Sequence, residues 1–153
     1  MLNVIIADDD YNTRTGLLEL IEWKKLGANV VLAAEDGEQV VEMLNQTRVD
    51  LIISDIRMPF MDGIALIKYV KEHFANVNIV LLSAYAEFEY AREAVKSGVR
   101  EYLLKPISRA KIGVLTNLIG EIAKEKKLEL ELSNLIHDSD FKKTLKKALK
   151  TKN

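Results

Sequence analysis

The 153-residue chain contains no cysteine and only two prolines. Without cysteine it can form neither disulfide bridges nor thiolate metal sites, as is common in reducing compartments. Long apolar runs are also missing, and none approaches the roughly 18 residues that a membrane span requires. The N-terminus has no secretory signal, because it runs directly into a strand-like segment. We therefore expect a cytoplasmic protein with no membrane association, and its length has room for one domain and a helical appendage.

Charge is unevenly distributed, although the formal net charge is only −1. Residues 141–153 contain six lysines and no acidic residue. Without these lysines, 16 basic residues face 23 acidic ones, so residues 1–140 carry a net charge of −7. Such an acidic body is a poor binder of nucleic acid, because that binding depends on neutralising phosphates. The terminal lysines form either a nucleic-acid patch or the solvated face of a helix, and we favour the solvated face.

Short apolar runs alternate with segments of helical periodicity. The runs occupy residues 2–7, 29–34, 49–54, 77–82 and 101–104. Between them, apolar residues recur at helical spacing in residues 12–25, 37–46, 63–74 and 87–97. Glycines 27, 37, 63 and 98 mark the expected turns. This repeated β-α-β pattern predicts an α/β fold built on a doubly wound, five-stranded parallel sheet.

Polar residues stand where four of these runs end. Asp8-Asp9-Asp10 follows the first run, Asp55 the third, Ser83 the fourth and Lys105-Pro106 the fifth. Because parallel strands end at a common edge, these groups should meet where open α/β folds bind ligands. Carboxylates with one hydroxyl and one ammonium suit a hard divalent cation and a phosphoryl group. Asp10 can equally serve as the cap of the following helix.

The character of the chain changes after Pro106. Residues 108–136 contain no proline, and their apolar positions include Ile112, Leu115, Ile119, Ile122, Leu128, Leu132 and Leu135. The first four predict a helix that packs on the sheet, whereas the charged residues 124–127 predict that the remainder projects beyond the domain. The heptad spacing is too irregular to identify a coiled coil. Residues 137–140 predict a helix stop and restart, with Ser139 or Asp140 as the cap of an amphipathic segment over residues 141–150.

The string Asp55-Ile56-Arg57-Met58-Pro59-Phe60-Met61-Asp62-Gly63 resembles the phosphoacceptor loop of two-component response-regulator receiver domains. The other spacings agree, since Ser83 follows Asp55 by 28 residues and Lys105-Pro106 follows Ser83 by 22. The resemblance covers about residues 1–120. It implies the flavodoxin-like strand order 2-1-3-4-5 and an extended C-terminal helix. Residues 1–122 would then form the receiver, and residues 123–153 a helical linker or tail that is basic at its end.

The resemblance also assigns roles to individual residues. Asp55 would be the phosphoacceptor for a sensor histidine kinase, and Asp8, Asp9, Asp55 and the Arg57 backbone carbonyl would hold Mg²⁺ or Mn²⁺. The phosphoryl-binding residues would be Ser83, Ala84 and Lys105, and the switch residues Ser83 and Tyr102. A cis peptide before Pro106 would aim the Lys105 ammonium inward, and Arg57 and Tyr85 would tune dephosphorylation. The chain would be no enzyme beyond its own phosphorylation and dephosphorylation.

Two strings narrow the resemblance to receivers that precede an AraC-type DNA-binding output domain. Glu22-Trp23-Lys24-Lys25-Leu26-Gly27 should extend the first helix, and Ser83-Ala84-Tyr85-Ala86-Glu87-Phe88-Glu89-Tyr90-Ala91 leads into the fourth. Because the chain ends without an output domain, it is either a fragment of a longer transcription regulator, which we favour, or a stand-alone receiver that docks to partners. DNA would be bound only through the output domain.

Phosphorylation would promote homodimerisation, according to the same resemblance. The surface involved would be the face of the fourth predicted helix, the fifth strand and the next helix. This face includes Arg92, Lys96, Arg100, Glu101, Tyr102 and Arg109.

Three other functions are compatible with parts of the pattern. Asp8-x-Asp10 resembles the motif of haloacid-dehalogenase-type phosphatases, with Asp8 as nucleophile and Asp10 as acid–base. However, Asn12 replaces their usual Thr or Val, a cap domain has no room, and the Asp55 loop would have no role. A degenerate receiver would lack carboxylates or the lysine, which are present here. A flavin or nucleotide binder would need a Gly-, Ser- or Thr-rich first turn instead of an acidic one.

Overall fold

The computed structural model describes residues 1–84, 89, 92, 96 and 98–151. In these residues the strands are β1 (Leu2–Ala7), β2 (Ala28–Ala34), β3 (Leu51–Asp55), β4 (Asn78–Ser83) and β5 (Glu101–Leu104). The helices are α1 (Tyr11–Leu20), α2 (Gly37–Leu44), α3 (Gly63–His73), α4 (Arg109–His137) and α5 (Ser139–Thr151), with a 3₁₀ turn at Lys24–Leu26. The predicted fourth helix, over residues 87–97, lies mostly outside the described residues.

The five strands form one parallel sheet with the order β2-β1-β3-β4-β5. This confirms the predicted fold class and strand order. Helices cover both faces of the sheet, and the apolar core accordingly divides into two clusters. One cluster includes Val40, Leu66 and Ile67, and the other includes Leu17, Leu115 and Ile119. Because β1 and β3 lie between both layers, their carboxyl ends are held rigidly at one edge.

The prediction that residues 22–27 extend the first helix is wrong. Helix α1 ends at Leu20, and Ile21 adopts an extended backbone with φ −94° and ψ 132°. Leaving the helix here buries Ile21 and lets Trp23 and Leu26 pack on the cluster that contains Leu17. Gly27 then turns the chain into β2 with a φ of 71°. The packing of these three apolar side chains therefore outweighs continuation of the helix.

Helix α4 is half packed and half projecting. Leu115, Leu118, Ile119 and Ile122 are buried against the sheet, as predicted for the first part of this segment. Arg100 then holds Glu125 through two hydrogen bonds of 2.8 and 2.6 Å, and Lys126 Nζ donates to the Asn76 carbonyl at 3.0 Å. Beyond these contacts every residue from 127 to 150 is exposed.

The cap between α4 and α5 differs from the prediction. Asp138, and neither Ser139 nor Asp140, is the non-helical residue, with φ −71° and ψ 129°. Its carboxylate accepts the backbone N–H of Phe141 at 3.0 Å, which satisfies a donor at the start of α5. Among the described residues, no helix has both the length and the apolar character that crossing a membrane requires.

Candidate functional site

The carboxyl ends of β1, β3 and β5 bring two aspartates and one lysine into contact. Lys105 Nζ lies 2.7 Å from Asp8 Oδ2 and 3.2 Å from Asp55 Oδ2. Asp8 is 0% exposed and Asp55 is 6% exposed, whereas the Lys105 side chain is 21% exposed. The predicted convergence of the strand ends is thus present as a nearly buried, ion-paired triad.

Asp9 completes a cluster of three carboxylates. One ligand atom from each of Asp8, Asp9 and Asp55 lies within 4.8 Å of the other two. Asp8 Oδ2 is buried and receives no hydrogen bond of good geometry from the described residues, although the Lys105 ammonium is close. Asp9 is exposed and so opens the cluster to solvent. This donor set fits a hard divalent cation that keeps several water ligands.

Backbone amides fix the orientation of the two buried carboxylates. Asp8 Oδ1 accepts the Asp10 N–H at 2.8 Å, and Asp55 Oδ1 accepts the Ile56 N–H at 2.8 Å. In both residues the second oxygen, Oδ2, is the one that faces Lys105. The site therefore presents one oxygen of each carboxylate toward the same point.

Burial and mutual repulsion control ionisation in this cluster. Burial, reinforced by the negative charge of Asp8, raises the pKa of Asp55 to about 6, and Lys105 only partly opposes this. Burial acts to lower the pKa of Lys105, but the contact with Asp8 and the charge of Asp55 outweigh it and raise that pKa. The ammonium therefore stays charged, and a cation bound beside Asp55 would favour its ionised form.

Asp10 lies outside the cluster and serves as the cap of α1. Its carboxylate accepts hydrogen bonds from the N–H groups of Asn12 and Thr13 and from the Thr13 hydroxyl. The Thr13 hydroxyl is the main reason that the pKa of Asp10 is lowered. Of the two interpretations of Asp10, the structure therefore supports the helix cap.

Ser83 and Tyr102 contact each other directly. Ser83 ends β4, is fully buried, and its hydroxyl shares a short hydrogen bond with the hydroxyl of half-buried Tyr102. The Lys105 N–H donates to the Ser83 carbonyl at 2.8 Å, so the serine and the lysine are joined through the backbone. Ala84, the next residue, is exposed. The two predicted switch residues are thus coupled by one hydrogen bond.

Pro106 and Arg57 lie in the loops that follow β5 and β3. The Lys105–Pro106 peptide is cis, as expected. Arg57 is exposed in the loop after β3, between buried Ile56 and Met58. Tyr85 lies outside the described residues.

Two residues of the site were missed by sequence reasoning. A Cβ at Gly63 would overlap the Asp55 carbonyl oxygen and lie 2.9 Å from Ile56 Cα, while the Gly63 N–H donates to the Ile56 carbonyl at 2.7 Å. Gly63 therefore allows α3 to press directly behind the Asp55 loop. Arg14 Nη1 donates to the Asp8 carbonyl at 2.6 Å from the first turns of α1. The Asp62-Gly63 pair at the start of α3 could have indicated the close contact at Gly63. No sequence signal indicated the hydrogen bond from Arg14 to the Asp8 carbonyl.

Known proteins resemble this chain over most of its length. Residues 4–116 match the family of response regulator receiver domains. The chain is 36% identical over 141 residues to the uncharacterized transcriptional regulatory protein YesN of Bacillus subtilis, covering 92% of this chain and 38% of YesN. It is 34% identical over 115 residues to the transcriptional regulatory protein HptR of Staphylococcus aureus, covering 75% of this chain and 45% of HptR. The chain thus spans less than half the length of these relatives.

Solved structures give the same result. The REC domain of AraT, a response regulator from Geobacillus stearothermophilus, superposes with a TM-score of 0.77 at 36% identity, over 82% of this chain and 98% of that domain. A two-component transcriptional regulator AraC from Clostridium phytofermentans gives a TM-score of 0.71 at 26% identity, over 84% of this chain and 99% of that structure. The predicted resemblance, including its AraC-type relatives, is confirmed.

Proposed function

We propose that this chain, which belongs to the response regulator receiver family, accepts a phosphoryl group on Asp55 from a phosphohistidine of a sensor histidine kinase. In this step an Asp55 carboxylate oxygen forms a bond to phosphorus, the P–N bond to the imidazole breaks, and the imidazole recovers a proton. The product is an acyl phosphate. The observation that carries the proposal is the convergence of Asp8, Asp9 and Asp55 around Lys105.

Asp55 is the best candidate nucleophile among the three carboxylates. Its Oδ1 is held by the Ile56 N–H, which leaves Oδ2, 3.2 Å from the Lys105 ammonium, as the oxygen that would attack phosphorus. Asp8 has no comparable access, because it is completely buried. Asp10 is already engaged as a helix cap, so the phosphatase alternative loses its acid–base residue.

The same residues would bind Mg²⁺ or Mn²⁺. Asp8 and Asp9 would supply the carboxylates, together with Asp55 and the backbone carbonyl of Arg57. The buried Oδ2 of Asp8, which lacks a well-aligned donor, supports this assignment. The cation, when bound, supplies positive charge against the transferring phosphoryl oxygens.

Ser83, the backbone around Ala84, and Lys105 would bind the phosphoryl group once it is on Asp55. Lys105 would exchange part of its pairing with Asp55 for a phosphoryl oxygen, since its ammonium already lies 3.2 Å from Oδ2. The Ser83 hydroxyl would turn toward the phosphoryl group and release Tyr102. This exchange of partners would be the switch that couples the chemistry to β5.

We also propose that two residues outside the carboxylate cluster set the lifetime of the acyl phosphate. Arg57 and Tyr85 would control access of the hydrolytic water and so the rate of dephosphorylation.

Residues 1–122 would be the receiver and residues 123–153 the linker to a DNA-binding output domain, because the similar proteins YesN and HptR are more than twice as long as the matched regions. Phosphorylation would promote homodimers through the face around β5, and the protein would act in the cytoplasm as a transcription regulator.

The test is the intact mass of the chain after incubation with acetyl phosphate, with and without Mg²⁺. We expect one phosphoryl adduct that requires Mg²⁺, is absent in Asp55→Asn, and persists in the matched control Asp10→Asn. Asn retains the capping ability of Asp10, so this control should leave α1 intact. An adduct that survives in Asp55→Asn but disappears in Asp8→Asn would instead support the phosphatase-like alternative, and no adduct on the wild type would contradict the proposal.

A further inference from the structure

Large apolar side chains are exposed on the distal helices, which we define as residues 128–151. The α4 stripe, between 49% and 58% exposed, consists of Leu128, Leu132, Leu135 and Ile136. The α5 stripe consists of Phe141, Leu145, Ala148 and Leu149, and its three large members are between 37% and 59% exposed. Both stripes have the spacing i, i+4, i+7, i+8, which places four side chains on one side of a helix.

The break at Asp138 does not fold the two stripes onto each other. All members of both stripes remain exposed in the single chain. Seven large apolar side chains at about half exposure leave several hundred Å² in contact with water, comparable to the roughly 300–600 Å² of the largest patch on a typical monomer. Two such surfaces pressed together would bury on the order of 1,000 Å², which is the lower limit for a stable interface.

The charges beside the stripes are complementary. Residues 128–137 contain Glu129 and Glu131 and no lysine or arginine. Helix α5 contains five lysines and a single acidic residue, Asp140. Pairing α5 with α5 would bring lysines together, and pairing α4 with α4 would bring glutamates together. Only the pairing of an α4 stripe with an α5 stripe places opposite charges beside a shared apolar seam.

We propose that two copies of this chain associate through the distal helices, with the α5 stripe of each copy packed on the α4 stripe of the other. The arrangement is self-complementary, so it closes as a two-fold dimer and leaves neither stripe in water. It does not require phosphorylation, and it uses a surface remote from the face around β5. An anionic lipid surface would suit the lysines of α5, but it would leave the glutamate-flanked α4 stripe uncovered.

The first test is the mass of the unphosphorylated full chain by sedimentation equilibrium at concentrations in the tens of micromolar. We expect twice the 17.3 kDa chain mass. Leu132→Glu or Leu145→Glu should weaken association at least about tenfold, because each places a charge in the apolar seam. The matched control is Leu130→Glu, since Leu130 is 62% exposed on the opposite side of α4, in a groove with Leu26 and Asn76. A monomeric wild type, or a dimer insensitive to both seam variants, would overturn the proposal.

A charge exchange tests which helices pair. One variant carries Glu129→Lys and Glu131→Lys, and the other carries Lys142→Glu and Lys146→Glu. Each variant alone should be mostly monomeric, because both of its seams bring like charges together. Their mixture should form a heterodimer, because α4 and α5 have opposite charges again in both seams. A mixture that shows no heterodimer would contradict the exchanged pairing.

Vesicles containing phosphatidylserine separate the second copy from a lipid partner. The wild-type dimer should remain in the supernatant with such vesicles at physiological salt. A chain that is monomeric in solution and sediments with these vesicles in a Leu145-dependent manner would overturn the dimer and assign α5 to an anionic surface.

Discussion

The strand-end site and the distal helices distribute polarity in opposite ways. At the site, charged and polar groups are buried, as Asp8, Asp55 and Ser83 show. On the distal helices, leucines such as Leu128 and Leu132 are half exposed while lysines and glutamates surround them. Buried charges persist where ion pairs, hydrogen bonds or a cation offset the loss of water, and exposed leucines persist where a partner can cover them. Each region therefore departs from the usual burial of apolar side chains and exposure of charged ones. In each region a ligand or partner would offset the cost of this departure.

The largest expected effect on the free energy of unfolding comes from adding a methyl group at Gly63, which lies directly behind the Asp55 loop. Gly63→Ala should cost about 3 kcal/mol or more, because its Cβ overlaps backbone atoms of Asp55 and Ile56 that cannot move independently. The acetyl phosphate reaction should be lost with it. The control is Gly113→Ala at an exposed position of α4, where a Cβ meets nothing within 4 Å and should add about 0.5–1 kcal/mol of stability. Urea unfolding of both variants measures the contrast, and equal effects would contradict it.

The next effect is the pH dependence of stability that the ionisation of buried Asp55 should cause. Since the pKa of Asp55 rises from 3.8 unfolded to about 6 folded, the folded chain binds more protons between these values, and its stability falls as pH rises through this window. Both states are protonated below this window and ionised above it, so the loss is nearly complete above about pH 6 and amounts to about 3 kcal/mol. Asp55→Asn should abolish this fall.

Urea unfolding of metal-free wild type and Asp55→Asn at pH 4, 5, 6 and 8 would show the difference. Added Mg²⁺ should reduce the loss in the wild type, because a cation favours the ionised carboxylate. Parallel pH curves for the two proteins would show that the ionisation of Asp55 does not oppose folding.

A smaller effect is expected from the hydroxyl pair beside the site. Tyr102→Phe removes a partner of the buried Ser83 hydroxyl and should cost about 1–2 kcal/mol. Tyr69→Phe is the control, because the Tyr69 hydroxyl accepts only an exposed 3.3 Å contact from Asn45 among the hydrogen bonds described. Its loss should cost about 0.5 kcal/mol or less. Thermal unfolding distinguishes the two, and an equal or larger cost at Tyr69 would contradict the special role of Tyr102.

The smallest expected effect is the coupling energy of the Arg100–Glu125 ion pair, which lies where α4 leaves the domain. Arg100→Gln and Glu125→Gln, combined in a double-mutant cycle, should show a coupling of about 0.5–1 kcal/mol that decreases with salt. The pair is only partly shielded from water, which limits its value. The control is the Lys25–Glu22 pair, whose side chains are both well exposed and whose coupling should be smaller. If the control pair couples more strongly, Arg100 does not anchor α4.

Sequence reasoning predicted the strands and the residues of the candidate site because both depend on local patterns. The apolar runs predicted all five strands of the sheet, and Asp55, Ser83 and Lys105 were identified from their positions at strand ends. It failed at residues 22–27, where we predicted a longer helix, but the burial of Ile21 and the packing of Trp23 turn the chain away from a helix. It also placed the second cap at Ser139 or Asp140 instead of Asp138, since several adjacent residues have capping side chains.

The α/β fold, the five strands and the chemical groups at their ends could therefore be predicted from residue order alone. Apolar periodicity and residue type carry this information along the chain. Four properties follow instead from the three-dimensional arrangement. Lys105 bridges Asp8 and Asp55, the pKa of Asp55 rises, Gly63 touches the Asp55 loop, and two apolar stripes remain exposed. These properties depend on distances and burial between residues far apart in sequence, which no local pattern specifies.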